Sequence, residues 1–151
     1  MRKLLNEELG RPTLEECATQ DKLPVVIVLD NVRSAQNVGS FFRTADAFGI
    51  GRIALCGISA TPPNREIHKT ALGAEQSVEW SYHPTTLECI ESLRQEGYRI
   101  IAIEQIEGAT MLNNFRAEST ERYALVFGNE VDGVDQAVAD IVDGAIEIPR
   151  V

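Results

Sequence analysis

At 151 residues, with 44% hydrophobic side chains, the chain is long enough for one domain, and on size scaling it buries about two-thirds of its unfolded surface. Its formal charge of −9 at pH 7 excludes broad attraction to phosphate backbones, so any contact with nucleic acid rests on local basic clusters. No stretch reaches the roughly 18 uninterrupted apolar residues of a membrane span, and Cys17, Cys56 and Cys89 have no Cys-x-x-Cys spacing; a reducing, cytoplasmic setting without a membrane is expected.

Residues 1–23 are polar and mixed in charge, with a short apolar start at Leu4, Leu5 and Leu9 that Gly10-Arg11-Pro12 breaks, and are expected to form an N-terminal arm. Residues 24–151 are expected to form the domain itself. Pro24–Asp30 is a continuous β-branched run, the pattern of a strand buried on both faces. Val38, Phe41, Ala45 and Phe48 then recur at three- and four-residue intervals before Gly49, predicting an amphipathic helix with a glycine stop. Residues 52–57 repeat the buried-strand pattern, and Arg65–Leu72 predicts a short helix ending at Gly73. Ser77–Trp80 reads as a small strand, and Thr85 with Glu88 offers a capping box for a helix that Gly97 ends. Tyr98–Ile103, Tyr123–Phe127 and Ala145–Ile148 complete the strands, while Val134, Val138, Ile141 and Val142 suggest a helical face between the last two. Strands alternating with helices at this spacing predict an α/β fold, a mostly parallel sheet with helices on both faces. In such sheets ligands bind beyond the carboxyl ends of the strands. Residues 30–37, 104–108 and 128–133 then share one rim.

Three stretches on or near that rim carry chemistry. Gly39 and Arg43 are i and i+4 on one helix near its N-terminus, where a guanidinium can grip a phosphate in two places, or can make an ordinary exposed ion pair. Phe127-Gly128-Asn129-Glu130-Val131-Asp132-Gly133 leaves a strand at a glycine and exposes an amide and carboxylates. It suits a ligand at the backbone and a hydroxyl oriented by Glu130, and equally a plain Asp-Gly turn. Asn64-Arg65-Glu66-Ile67-His68-Lys69-Thr70 is the main basic cluster, either a phosphate-contacting patch or a solvated helix face. His68 and His83 lack the spacing of a metal site, so no metal is expected, and neither a dinucleotide fingerprint nor a phosphate-loop lysine is present.

In order and spacing, Asn37-x-Gly39-x-x-x-Arg43, Phe127-Gly128-Asn129-Glu130-x-x-Gly133 and Ile146-Glu147-Ile148-Pro149 resemble the SpoU (TrmH-like) family of RNA ribose 2′-O-methyltransferases from about Pro24 onward. Lys69-Thr70-Ala71-Leu72-Gly73-Ala74 also looks like the family pattern. The resemblance implies a SPOUT-type α/β-knot fold, an S-adenosyl-L-methionine pocket inside the knot, a homodimer, and tRNA or rRNA as substrate, with tRNA favoured. It gives Arg43 the catalytic role, with Asn37 and Glu130 arranging the site, and puts Ile103, Glu104, Gly128 and Ile148 at the cofactor. RNA contact is expected at Arg33, Arg43, Arg65, His68 and Lys69. Because a guanidinium stays protonated, a phosphate grip and alkoxide stabilisation suit Arg43 better than proton removal. The family's third motif continues beyond Ile148-Pro149 into a Ser-Leu-Asn-x-Ser segment, so the 151 residues are expected to be a fragment lacking the end of that motif and of the knot. A non-catalytic RNA-binding or dimerisation module keeping the fold is the alternative.

Overall fold

The structure, a computed structural model, describes residues 22–149; the expected N-terminal arm, with Cys17, lies outside them apart from Lys22 and Leu23. In chain order the elements are β1 (Leu23–Asp30), α1 (Ala35–Ala47), β2 (Ile50–Cys56), α2 (Arg65–Ala71), β3 (Glu79–His83), α3 (Thr86–Gln95), β4 (Tyr98–Ile103), β5 (Thr110–Met111), β6 (Arg122–Phe127), α4 (Gln136–Ala139) and β7 (Gly144–Glu147). The seven strands form one sheet in the order β3-β2-β1-β6-β4-β7-β5, and every pairing is parallel.

The β-branched run predicted to be buried lies at the sheet centre. Val26, Val28 and Leu29 are at most 1% exposed, because β1 has strands on both edges and helices on both faces. Its even positions Val26 and Val28 pack with Cys89, Ile90 and Leu93 of α3 and Val138 of α4; its odd positions Ile27 and Leu29 pack with Val38, Phe42 and Ala45 of α1 and Ile67 of α2. That odd face continues across β6, β4 and β7 as a smaller cluster of Ile101, Tyr123 and Ile146, bordered by Ile103, Phe115 and Leu125. Among the described residues no helix covers this last part.

Several local expectations need correction. The buried stripe of α1 is Val38, Gly39, Phe42 and Ala45, and Phe48, at 69% exposure, is only the helix C-cap. Phe42 faces the sheet instead, and burying such a ring is worth about 1.5–3 kcal/mol. The strand predicted at Ser77–Trp80 starts later and runs to His83, because Val78 N donates to Ala74 O and closes a helical turn. The helix expected through Val142 is only Gln136–Ala139: Val134 and Val138 are buried, but Ile141 is 37% exposed and Asp143 already donates its N–H to Ile100 O at the start of β7. Strand β5 was not anticipated, since two residues carry no periodicity. Ile148, placed at the end of the last strand, lies just beyond β7 and is 53% exposed.

Candidate active site at the carboxyl ends of β1 and β6

The chain leaves β1 toward β2 on one side, while β6 flanks it on the other, so a crevice opens at their carboxyl ends, where ligands bind in sheets of this kind. A cavity of about 980 Å³ lies there, floored by Ile27, Leu125 and Phe127 and rimmed by Arg33, Asn37 and Glu130. It is at the upper end of the size of small-molecule sites.

Each wall has a local cause. Ser34 caps α1, its Oγ accepting from Asn37 N at 3.2 Å, which fixes Asn37 in the first turn. The β1–α1 loop is anchored from below: Val32 N donates to Ser59 Oγ at 2.9 Å, and Asn31, at φ 56°, accepts from Ile58 N at 3.0 Å. Across the crevice, Asn129 Oδ1 accepts from the N–H groups of Val131 and Asp132 at 3.0 and 2.7 Å, winding the Gly128–Gly133 segment into a tight loop. A Cβ on Gly128 would stand 2.0 Å from the carbonyl carbon of Gly133, so this loop closes only over a glycine. Phe41 of α1 and Phe127 of β6 meet with ring centroids 4.9 Å apart and tie the two walls together.

The predicted pair Asn37 and Glu130, 93 residues apart, is brought together: Asn37 Nδ2 donates to Glu130 Oε1 at 2.6 Å. Gly128 and Arg33 line the same cavity. Arg43 does not. It is exposed on α1, and six residues from Asn37 correspond to about 9 Å along the helix and about 120° around it. Gly39, one turn before Arg43, leaves no open space on the helix: a Cβ there would stand 1.8 Å from Thr70 Oγ1 and 2.6 Å from Ile67 O, because α2 packs directly against α1 at that point.

The remaining predicted residues fall into two groups. Ile103, Glu104 and Ile148 gather at the ends of the adjacent strands β4 and β7, where Glu104 N donates to Ile146 O at 3.0 Å. The Glu104 carboxylate accepts from Gln105 N and Val134 N, both at 2.9 Å. Arg65, His68 and Lys69 are exposed on α2, with Lys69 within 3.5 Å of Glu66 and His68 within 3.3 Å of Glu75.

Sequence reasoning passed over Asp30, noting it only as a strand end. It is 2% exposed, and its carboxylate accepts from Thr86 Oγ1 at 2.6 Å, Asn31 Nδ2 at 3.2 Å and Asp135 N at 2.9 Å. It thereby ties β1, α3 and the end of the Gly128–Gly133 loop together. A charged residue closing an otherwise apolar buried run was the available signal, since buried charges persist only when fully bonded.

Comparison with known proteins agrees with this fold. The 23S rRNA (guanosine-2′-O-)-methyltransferase RlmB of Vibrio parahaemolyticus is 26% identical over 143 residues, 95% of this chain and 57% of that protein. The tRNA (guanosine(18)-2′-O)-methyltransferase of Thermus thermophilus is 28% identical over 94% of this chain and 71% of its own length. A solved AdoMet-bound rRNA methyltransferase from Sinorhizobium meliloti has a TM-score of 0.78 at 26% identity, covering 87% of this chain and 49% of that one. The chain thus spans little more than half the length of the first of these relatives. Its own α/β fold and its paired rim motifs lie within a match to the SpoU rRNA Methylase family over residues 24–151, and the chain belongs to that family.

Proposed function

We propose that the protein methylates a ribose 2′-hydroxyl of RNA with S-adenosyl-L-methionine as donor, acting as a homodimer in the cytoplasm. The observation that carries this reading is the 2.6 Å bond from Asn37 to Glu130, which joins two motifs 93 residues apart over a cavity at the β1–β6 rim. Both partners sit at the surface, so the bond is weak in water and exchanges readily for bonds to a sugar hydroxyl.

The donor set at the ends of β4, β6 and β7 fits the cofactor. The half-buried Ile103 and the exposed Ile148 offer an apolar border, and the backbone of Gly128 and Glu104 offers polar groups beside it, the mix a nucleoside requires. When bound, S-adenosyl-L-methionine supplies a methyl group already activated on a sulfonium, so the protein's task is alignment. Asn37 and Glu130 hold the hydroxyl and its neighbours. Arg43, on the outer face of α1 and outside the cavity, grips a phosphate adjoining the nucleotide to be methylated. Arg33 at the cavity rim and Arg65, His68 and Lys69 on α2 extend the contact to the RNA backbone, a local basic surface on an acidic chain.

RNA as substrate class is supported by the Vibrio and Thermus relatives, one an rRNA and one a tRNA methyltransferase. We favour tRNA on the likeness of the Asn37–Arg43 and Phe127–Gly133 motifs to the TrmH-like branch of the family. Mapping 2′-O-methyl positions in total RNA from cells with and without the gene tests the reading. Loss of one or a few marks, in tRNA first, is the expected result, and identical maps would overturn it.

A further inference from the structure

Helix α2 turns Ile67 and Ala71 into the core and Arg65 and His68 toward a second cavity, of about 520 Å³, at the outer edge of the sheet. Pro62, Pro63, Glu75 and Trp80 supply the other walls the argument needs. None of these residues belongs to the cavity holding Asn37 and Glu130.

Three features of this cavity point to one kind of occupant. Trp80, the only tryptophan of the chain, lies in register with Ile53 on edge strand β3. It packs against the core on one side but stays only half-buried, leaving part of its indole at the cavity. With Pro62 and Pro63 it forms rigid apolar walls suited to a flat ring. Glu75, whose side chain is 13% exposed, places Oε2 within 3.3 Å of His68 Nδ1, while its Oε1 is shielded from water and has no partner among the described residues. Oε1 is closed to a ligand as it is to water, so a ligand reaches Glu75 through Oε2, where its N–H takes the place of the exposed His68 ring. Arg65 and His68, both exposed beside the opening, suit a phosphate.

From this we infer that the cavity is a second RNA subsite, holding one unpaired base outside the methyl-transfer site, with the base stacked on Trp80 and its N–H edge on Glu75. Guanine suits it best, because it alone presents two adjacent donors, N1–H and N2–H, that can converge on the single oxygen Oε2. Adenine and cytosine offer only an exocyclic amine, and uracil a single ring N–H. The inference rests on the proposal that the protein acts on RNA.

Because Trp80 is the only tryptophan, its emission reports on this cavity directly. The test titrates the protein with the four ribonucleoside 5′-monophosphates. GMP is expected to change the emission saturably and to bind about ten-fold more tightly than AMP, CMP or UMP, the discrimination of one good base pairing. Glu75→Gln should abolish that preference while leaving the emission of the free protein and its thermal midpoint near those of the parent. No saturable response, or equal responses to all four nucleotides, overturns the subsite. So does a preference for GMP that survives in Glu75→Gln. Mapping of 2′-O-methyl marks separates this from the parent proposal: marks that depend on the gene together with a silent Trp80 reject the subsite alone, whereas a GMP-selective Trp80 with unchanged marks rejects the methyl-transfer reading and leaves a guanine-binding cavity.

Discussion

The Gly128–Asp135 loop is held from both sides by carboxylates in unlike surroundings. From β1, Asp30 takes the N–H of Asp135 at 2.9 Å while buried to 2% exposure. From the end of β4, Glu104 takes the adjacent N–H of Val134, also at 2.9 Å, from a half-buried position. Length and chemistry of the two bonds are alike; the burial of the two carboxylates is not. On the β1–β6 rim the loop is therefore held by a carboxylate that is itself shielded from solvent and fixed by the buried Thr86. On the β4–β7 rim the carboxylate itself is half-buried and within reach of water, next to the exposed Ile148, an arrangement that leaves room to adjust around a cofactor.

The largest effect expected from this contrast is on turnover. If the two rims divide the work, with substrate on the first and cofactor on the second, Arg43→Ala lowers methyl transfer by on the order of 10²-fold or more while calorimetry finds S-adenosyl-L-methionine affinity near that of the parent. Turnover that survives the change would remove Arg43 from the machinery. A matching loss of cofactor affinity would dissolve the division between the rims.

Next comes Asp30→Asn. The amide keeps one carbonyl oxygen for what two carboxylate oxygens now accept, so either the buried Thr86 Oγ1 or the backbone N–H of Asp135 loses its partner beside a buried side chain. Denaturant unfolding should show a loss of about 1–3 kcal/mol. For a chain of this size the thermal midpoint falls by about 2–4 °C for each kcal/mol. Glu104→Gln is the matched experiment on the other rim. Because the Glu104 carboxylate is half-buried and the amide keeps one oxygen for Val134 N, about 0.5–1 kcal/mol is expected, the net worth of one hydrogen bond. Equal losses in the two variants would show that burial does not separate the rims.

The same contrast explains what the sequence disclosed. Strand β1 was legible because Val25–Leu29 is apolar at every position, which only a strand buried on both faces permits. The cap at Thr85 was legible because a hydroxyl three residues before Glu88 has one common use, and Thr85 Oγ1 does accept from Glu88 N at 3.2 Å. The meeting of Asn37 with Glu130 was not legible from spacing, since 93 residues of chain intervene and only the placement of β6 beside β1 closes the gap. Gly39 was misread for a related reason. Its helical position pointed to Arg43, whereas tertiary packing gave the space to Thr70, and no local pattern reports which neighbour arrives. Asp30 went unrated because a polar residue at the end of an apolar run also marks an ordinary strand terminus.

The smallest expected effect tests how far the rigidity of the first rim depends on local structure. Ser34 is exposed, and its one bond in the cap is the acceptance from Asn37 N at 3.2 Å. Ser34→Ala frees that N–H to water, at a cost of about 1 kcal/mol, and leaves the buried anchors at Ser59 and Asp30 in place. If those anchors set the rim, the thermal midpoint drops by about 2–4 °C and methyl transfer by less than about ten-fold, since Asn37 still reaches Glu130. If the cap itself holds Asn37 in its working orientation, turnover falls much further than stability. Comparing the two losses in one variant therefore shows whether Asn37 is positioned by the loop beneath it or by the first turn of its own helix.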